Sequence, residues 1–168
     1  MVVLGIDTAL RTTGYGVIRL EAGRFTVLDC GVIHNAPSLK HSECLRRIHK
    51  GIGELIGIFH PEAAAIETAF ANKNIRTTML LSMARGVAVN SATLNGVAVF
   101  EYSPKTAKRA AVGSGNAAKE QVASVLAAIC SLDAARIPND ATDALALAVC
   151  HANIASRPEL AALSGQAV

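Results

Sequence analysis

The sequence predicts a single α/β domain with a five-stranded mixed β-sheet that has helices on both faces. The first observation is the order of its segments: three strand-like segments come first, and two further strands then alternate with helices. The second is composition, because 51% of the 168 residues are hydrophobic, only 4% are aromatic and none is Trp. This length and this content predict one core built from Ala, Val, Leu and Ile.

The first three strands are predicted to form an antiparallel meander. Residues 2–6 are apolar and rich in β-branched side chains, which is typical of a short strand buried on both faces. Residues 13–20 follow as a second strand, and residues 24–33 alternate enough to form a third after the turn at 21–23. The first strand ends at Asp7.

A helix is predicted after this meander, from Ser38 to residue 59. Ser38 can cap its first turn, and apolar residues recur at helical spacing along one stripe. These are Leu45, Ile48, Ile52, Leu55 and Ile56. His60-Pro61 ends the helix.

The second half of the chain alternates strands and helices. Strands are predicted at residues 63–66 and 97–102, with the fourth strand beside the first in the centre of the sheet. Helices are predicted at 76–94, from Ser103 onward, at 119–132 and at 140–154. We expect residues 1–154 to form the domain and residues 155–168 to be a loosely ordered tail.

Four acidic residues are placed where their side chains can meet. Asp7 ends the first strand and Glu67 ends the fourth, and these strands are neighbours in the predicted sheet. Asp140 and Asp143 are three residues apart on an otherwise apolar helix, so both project from one face. Four carboxylates around one point favour a two-metal site that cleaves a phosphodiester. Taken singly, Asp7 can instead cap its turn and Asp140 can stabilise a helix N-terminus.

Basic residues are concentrated in the middle of the chain. Residues 68–119 contain seven Lys and Arg against one acidic residue, Glu101, so this stretch carries +6 and the remainder −3. The seven are Lys73, Arg76, Arg85, Lys105, Lys108, Arg109 and Lys119. This asymmetry favours a polyanionic partner such as a nucleic acid, although a solvated basic surface would show the same pattern.

Several short motifs along the chain follow the order of a known family. They are Gly5-Ile6-Asp7, Thr13-Gly14-Tyr15-Gly16, Ile66-Glu67, Asn72-Lys73-Asn74, Ala84-Arg85-Gly86-Val87-Ala88, Lys119-Glu120-Gln121-Val122 and Asp140-Ala141-Thr142-Asp143. Over residues 2–151 the chain resembles the RuvC-type Holliday-junction resolvases. The resemblance implies an RNase H-like nuclease fold, a homodimer, two Mg²⁺ or Mn²⁺ ions per active site, and paired symmetric nicks in a four-way DNA junction during recombination and repair. A branch-migration motor complex is a further implied partner.

The resemblance also implies roles for particular residues. The metal-binding acids of the family are matched by Asp7, Glu67, Asp140 and Asp143, and its functional lysines by Lys108 and Lys119. Phe70 matches an aromatic residue that contacts bases, and the predicted DNA contacts also include Lys73, Arg76, Lys105 and Arg109. The Met79/Met83 and Leu80/Leu81 surface of the helix at 76–94 would be the subunit interface, whereas in a monomer it would be ordinary core. Without the family pattern, the lysines would be ordinary surface residues, and Phe70 and His151 packing residues.

One departure from the family pattern keeps other functions open. Thr8-Ala9 follows the first acid, where the family usually has Pro-Gly. The alternatives are a junction-binding protein that no longer cuts, an RNase H-like nuclease for another branched or hybrid substrate, and a nucleotide-binding domain of the actin type, for which this chain is too short. No apolar run reaches the roughly 18 residues of a membrane span and no signal peptide is recognisable, so we expect a cytoplasmic protein without membrane contact.

Overall fold

Six strands form one mixed sheet in this computed structural model, which describes residues 1–68, 74–130 and 137–168. The strands are β1 (Val2–Asp7), β2 (Thr12–Glu21), β3 (Arg24–His34), β4 (Ala63–Glu67), β5 (Ala98–Tyr102) and β6 (Gln166–Ala167). Their order across the sheet is β3-β2-β1-β4-β5-β6. β1 pairs antiparallel with β2 and parallel with β4, so the strands that end in Asp7 and Glu67 are central neighbours, as predicted.

The expected sheet of five strands was one strand short. β6 pairs antiparallel with β5 through Phe100 with Ala167 and Glu101 with Gln166, and a 3₁₀ helix at Pro158–Leu163 precedes it. Both residues of β6 are exposed, and two residues are too few to show the alternation that identifies a strand in a sequence. The division of the chain at residue 154 stays a prediction.

The helices of the described residues are α1 (His41–Phe59), α2 (Ile75–Leu94), α3 (Pro104–Val112), α4 (Lys119–Cys130) and α5 (Asn139–Ser156). α3 starts at Ser103-Pro104 as predicted, and Ser103 Oγ accepts a hydrogen bond from Thr106 N–H at 3.1 Å, which caps the helix directly ahead of Pro104. Residues 131–132, which were predicted to end the fourth helix, lie outside the described residues.

The predicted cap of the first helix was wrong. α1 begins at His41, after Ser38, and its N-cap Lys40 makes no side-chain cap. The loop before the helix is held by a long-range contact instead, because Asn35 is fully buried and its Nδ2 donates to Leu10 O at 2.8 Å. A contact of this kind leaves no local signal in the sequence.

The sheet separates two hydrophobic cores, so helices lie on both faces as expected. Adjacent residues of β1 face opposite sides: Val3 packs in the core that includes Leu145 of α5, and Leu4 packs in the core that includes Ile48 of α1. α3 and α4 share the face of α5, whereas α2 shares the face of α1. None of the helices in the described ranges is long and apolar enough to span a bilayer.

Candidate active site

Asp7 and Glu67 start from neighbouring positions at one edge of the sheet. β1 and β4 run parallel with Ile6 paired to Ile66, so the next residue along each strand is acidic. Both acids are partly buried. Because parallel strands end at the same edge of a sheet, the two carboxylates lie on the side where loops and helix ends can complete a site.

Helix α5 crosses the sheet so closely that two glycines are required beneath it. A Cβ atom on Gly5 would collide with the backbone carbonyl of Ala144, and one on Gly14 would collide with the backbone carbonyl of Asp140. Gly14 is also the antiparallel partner of Asp7. The first turn of α5 therefore lies over the end of the β1–β2 pair, which brings Asp140 to the edge that carries Asp7.

Glu67, Asp143 and Lys108 line one cavity of about 230 Å³. Its other lining residues are Pro104, Ala107, Val122, Ala146 and Leu147. Burial raises the pKa of the Glu67 carboxyl above its ordinary value, and the nearby charge of Asp143 raises it further. Two carboxylates that repel each other beside apolar walls attract a cation.

Lys108 brings a positive charge to this cavity from α3. Its Nζ donates a hydrogen bond to the carbonyl O of Ala117 at 2.9 Å, which orients the ammonium group and uses one of its three donors. The other donors can bind an anionic group beside the two carboxylates. An ammonium group beside two carboxylates that can bind metal ions is suited to binding a phosphate.

The turn after Asp7 needs no glycine. Thr13 is fully buried, and its Oγ1 donates to Ala9 O at 2.7 Å, which closes the turn. Among the described residues other than glycine, only Ala22 and His60 have positive φ, so Ala9 has an ordinary backbone conformation. Thr8-Ala9 is therefore compatible with a defined loop beside Asp7.

The remaining predicted site residues are distributed more widely. Phe70 and Lys73 lie outside the described residues, as does the side chain of Lys119, the first residue of α4. Three predicted DNA contacts are exposed, namely Arg76 on α2 and Lys105 and Arg109 on α3. Asp7 and Asp140 do not line the cavity, and in the part of the chain that is described no three His, Cys, Asp or Glu side chains are grouped closely enough to hold a metal ion.

Arg85 belongs to the basic stretch and to one of the family motifs, with no role predicted for it from the sequence, yet it contacts the strand that carries Glu67. Its Nη2 donates to the Glu101 carboxylate, and its Nε donates to the carbonyl O of Glu67 at 3.4 Å. The side chains of Arg85 and Glu101 are only 18% and 22% exposed. The sequence did contain a signal, because Arg85 is the only charged residue between Arg76 and Glu101.

His151 joins α5 to β5 in the core. Its Nδ1 and the hydroxyl of Tyr102 are 2.8 Å apart, and its ring centroid lies 4.6 Å from that of Phe100. Burial lowers the pKa of the imidazole. Tyr102 is the β5 partner of Glu67, so this hydrogen bond connects α5 with the strand beside the candidate site.

Comparisons with known proteins identify close relatives. A family model described as "Crossover junction endodeoxyribonuclease RuvC" matches residues 3–151. The RuvC protein of Ruminiclostridium cellulolyticum is 42% identical over 153 residues, which cover 91% of this chain and 92% of that protein. Thermus thermophilus RuvC in complex with a Holliday junction substrate matches with a TM-score of 0.90 and 32% identity, over 100% of this chain and 99% of that chain. The yeast mitochondrial Holliday junction resolvase shares the fold, with a TM-score of 0.65 and 14% identity over 88% of this chain and 76% of its own.

Proposed function

This chain belongs to the RuvC family of crossover junction endodeoxyribonucleases, so it is an endonuclease that resolves Holliday junctions, and we propose that four acidic residues carry its catalysis. These are Asp7, Glu67, Asp140 and Asp143. The fold is RNase H-like, as the resemblance implied. The observation that carries the proposal is the cavity in which Glu67 and Asp143 meet Lys108, at the sheet edge where β1 ends in Asp7.

The donor set of this site fits divalent metal ions, and the family is one of metal-dependent nucleases. Carboxylate oxygens are the ligands that Mg²⁺ and Mn²⁺ prefer, and a cation would relieve the repulsion between Glu67 and Asp143. Two ions held by the four acids would lower the pKa of bound water and stabilise the leaving oxygen of the phosphodiester.

The lysines supply positive charge that belongs to the protein itself. Held by Ala117, the Lys108 ammonium would bind the scissile phosphate or offset the charge that develops on its oxygens in the transition state. Lys119 would add a second ammonium from the first turn of α4, where the helix N-terminus also favours an anion.

The DNA would approach along the edge of the sheet that carries the acids. Arg76, Lys105 and Arg109 are exposed on helices that follow β4 and β5, so they can reach phosphates on this side. Phe70 and Lys73, in the connection between β4 and α2, would contact an unstacked base and the backbone.

A homodimer would supply the two active sites that paired symmetric nicks require. α2 exposes Ile75, Met79 and Met83 at 76%, 61% and 44%. The three are spaced four residues apart and so share one helix face, which has no partner in a single described chain. We propose that this row is the subunit interface.

Cleavage of a mobile four-way DNA junction by the wild type and by Asp7→Asn tests the function. In Mg²⁺ and in Mn²⁺, we expect symmetric nicks from the wild type and a fall of about 10²- to 10³-fold in the variant, the size of loss seen when one group that stabilises a transition state is removed. Junction affinity should persist, because the substitution removes no phosphate contact. Asp29→Asn, the same change on β3, is the matched control and should cut at the wild-type rate.

The other outcomes separate the alternatives. Tight junction binding by the wild type, with no cleavage in either metal, would make the protein a junction-binding module. Preferential cleavage of a linear duplex or an RNA–DNA hybrid in competition with the junction would make it an RNase H-like nuclease with another substrate.

A further inference from the structure

Arg85 contacts two neighbouring strands at the point where both end. From α2, its Nη2 donates to the carboxylate of Glu101 on β5, and its Nε donates to the carbonyl O of Glu67 on β4 at 3.4 Å. Glu101 on β5 pairs with Ile66 on β4, so the two acceptors lie one residue apart along the paired strands. The side chains of Arg85 and Glu101 are 18% and 22% exposed, which shields the contact from most of the solvent.

Arginine is suited to bridging the Glu101 carboxylate and the Glu67 carbonyl. Its planar guanidinium presents five donors in fixed directions, so one side chain can bind a carboxylate and a carbonyl at the same time. A lysine would place one compact ammonium group on a flexible chain. It could pair with Glu101 but would lose the second, differently directed bond to Glu67.

The bridge holds the backbone that carries the Glu67 side chain. The same peptide group is also bonded through its other polar atom, because the N–H of Thr68 donates to Tyr102 O at 2.9 Å. The Tyr102 hydroxyl is in turn 2.8 Å from Nδ1 of His151 on α5, the helix that carries Asp143. The distance between the two carboxylates of the cavity therefore depends on how firmly the end of β4 is fixed to β5.

We propose that Arg85 is a positioning residue for cleavage: by bridging the Glu67 carbonyl and the Glu101 carboxylate, it sets where the Glu67 carboxylate stands relative to Asp143. The inference rests on the proposed function, in which these carboxylates hold metal ions. Arg85 does not line the cavity, so it acts through Glu67. Loss of a partner that orients a metal ligand typically costs about 10- to 100-fold in metal affinity.

Arg85→Gln tests this through the Mg²⁺ dependence of two quantities. The first is the Mg²⁺ concentration that gives the half-maximal rate of single-turnover cleavage of a pre-bound junction. The second is the Mg²⁺ concentration that gives half of the maximal rise in Tm, measured without DNA and therefore independent of activity. We expect both midpoints to move to at least about tenfold higher Mg²⁺. Junction affinity in chelator should stay at the wild-type value, because Arg85 bonds to protein acceptors.

Two further variants complete the design. Arg85→Lys keeps the charge and the pair with Glu101, so it should melt near the wild type and still show most of the shift in Mg²⁺ midpoint. Arg46→Gln breaks an exposed pair with Glu43 on α1, whose side chains are 64% and 36% exposed. It makes the same chemical change outside the site and should leave both midpoints at the wild-type value.

Wild-type Mg²⁺ midpoints in Arg85→Gln would overturn the proposal. If Arg85→Gln binds the junction more weakly and its Mg²⁺ midpoints do not move, Arg85 is a DNA contact and the proposal is overturned. If Arg85→Gln folds poorly and Arg85→Lys has wild-type Mg²⁺ midpoints, the role of Arg85 is structural and the proposal is also overturned. Failure of the proposed function is distinguishable: a wild type that never cuts refutes it, while the midpoints from Tm still decide the role of Arg85. A wild-type Tm that ignores Mg²⁺ would refute both.

Discussion

Glu67 gives the metal-free protein a distinct dependence of stability on pH. Burial and the charge of Asp143 raise the pKa of its carboxyl in the folded protein. Such a group contributes stability that is fully present below its unfolded pKa and is lost as pH rises through its folded pKa. The ionised carboxylate of Glu67 therefore destabilises the metal-free fold at neutral pH.

Glu67→Gln should remove this dependence, because Gln keeps the size of the side chain and carries no charge. In chelator, the Tm of the variant should equal that of the wild type in acid and exceed it at neutral pH, whereas added Mg²⁺ should raise the wild-type Tm more. Thermal unfolding between about pH 4 and pH 8 measures the difference. Glu21→Gln, at an exposed carboxylate on β2, should show none. A variant less stable than the wild type at every pH would contradict this account.

The positions of the four acids in the fold could be predicted from the sequence because each has a local signal, whereas their role in metal binding stays a proposal. Asp7 and Glu67 follow apolar runs, and Asp143 lies one helical turn after Asp140. The contacts that orient the site could not be predicted, since they join separate elements. Arg85 on α2 reaches Glu101 on β5, and neither residue shows in the sequence which atom it will face.

Helix α5 reaches the site because the strands beneath it lack side chains at the crossing. Gly5→Ala would drive a Cβ into the carbonyl of Ala144, so the helix or strand must shift. We expect the free energy of unfolding to fall by about 1–3 kcal/mol, as for other overpacked cores, and cleavage to slow because α5 carries Asp143. Denaturation in urea measures the first effect.

Gly53→Ala is the matched control on α1. Nothing lies within 4 Å of the position where its Cβ would be built, so the same substitution should stabilise by about 0.5–1 kcal/mol through helix propensity alone. If Gly5→Ala were as stable as the wild type, the close packing of α5 against Gly5 of β1 would be wrong.

Elements with strong local signals were predicted, and those fixed by distant contacts were not. The central strands follow from their apolar runs, and α3 follows from Ser103-Pro104. The loop before α1 is held by the buried Asn35, and β6 forms by antiparallel pairing with β5 at the edge of the sheet. In both cases the decisive partner lies far away along the chain.

The whole protein must cut two strands of one junction, and the cavity that joins Glu67, Asp143 and Lys108 is lined by described residues of one chain. Closed twofold symmetry is the commonest way for a protein to present two equal sites, and it buries the same surface on each copy. The α2 row of Ile75, Met79 and Met83 is an exposed apolar surface on one helix face. Arg85 lies on the same helix, so an interface here would be joined through one helix to the strand that carries Glu67.

Met79→Glu should therefore turn a dimer into a monomer, because burying a carboxylate in an apolar interface without a partner is costly. Sedimentation measures the oligomeric state. On a plasmid that extrudes one junction, the wild type should yield linear DNA from two nicks within one bound lifetime, and the variant should yield nicked circles. Ile58→Glu, at an apolar residue 67% exposed on α1, is the control and should remain dimeric and linearise the plasmid. Dimeric Met79→Glu that still linearises DNA would exclude this row as the interface and direct the search to another face of the protein.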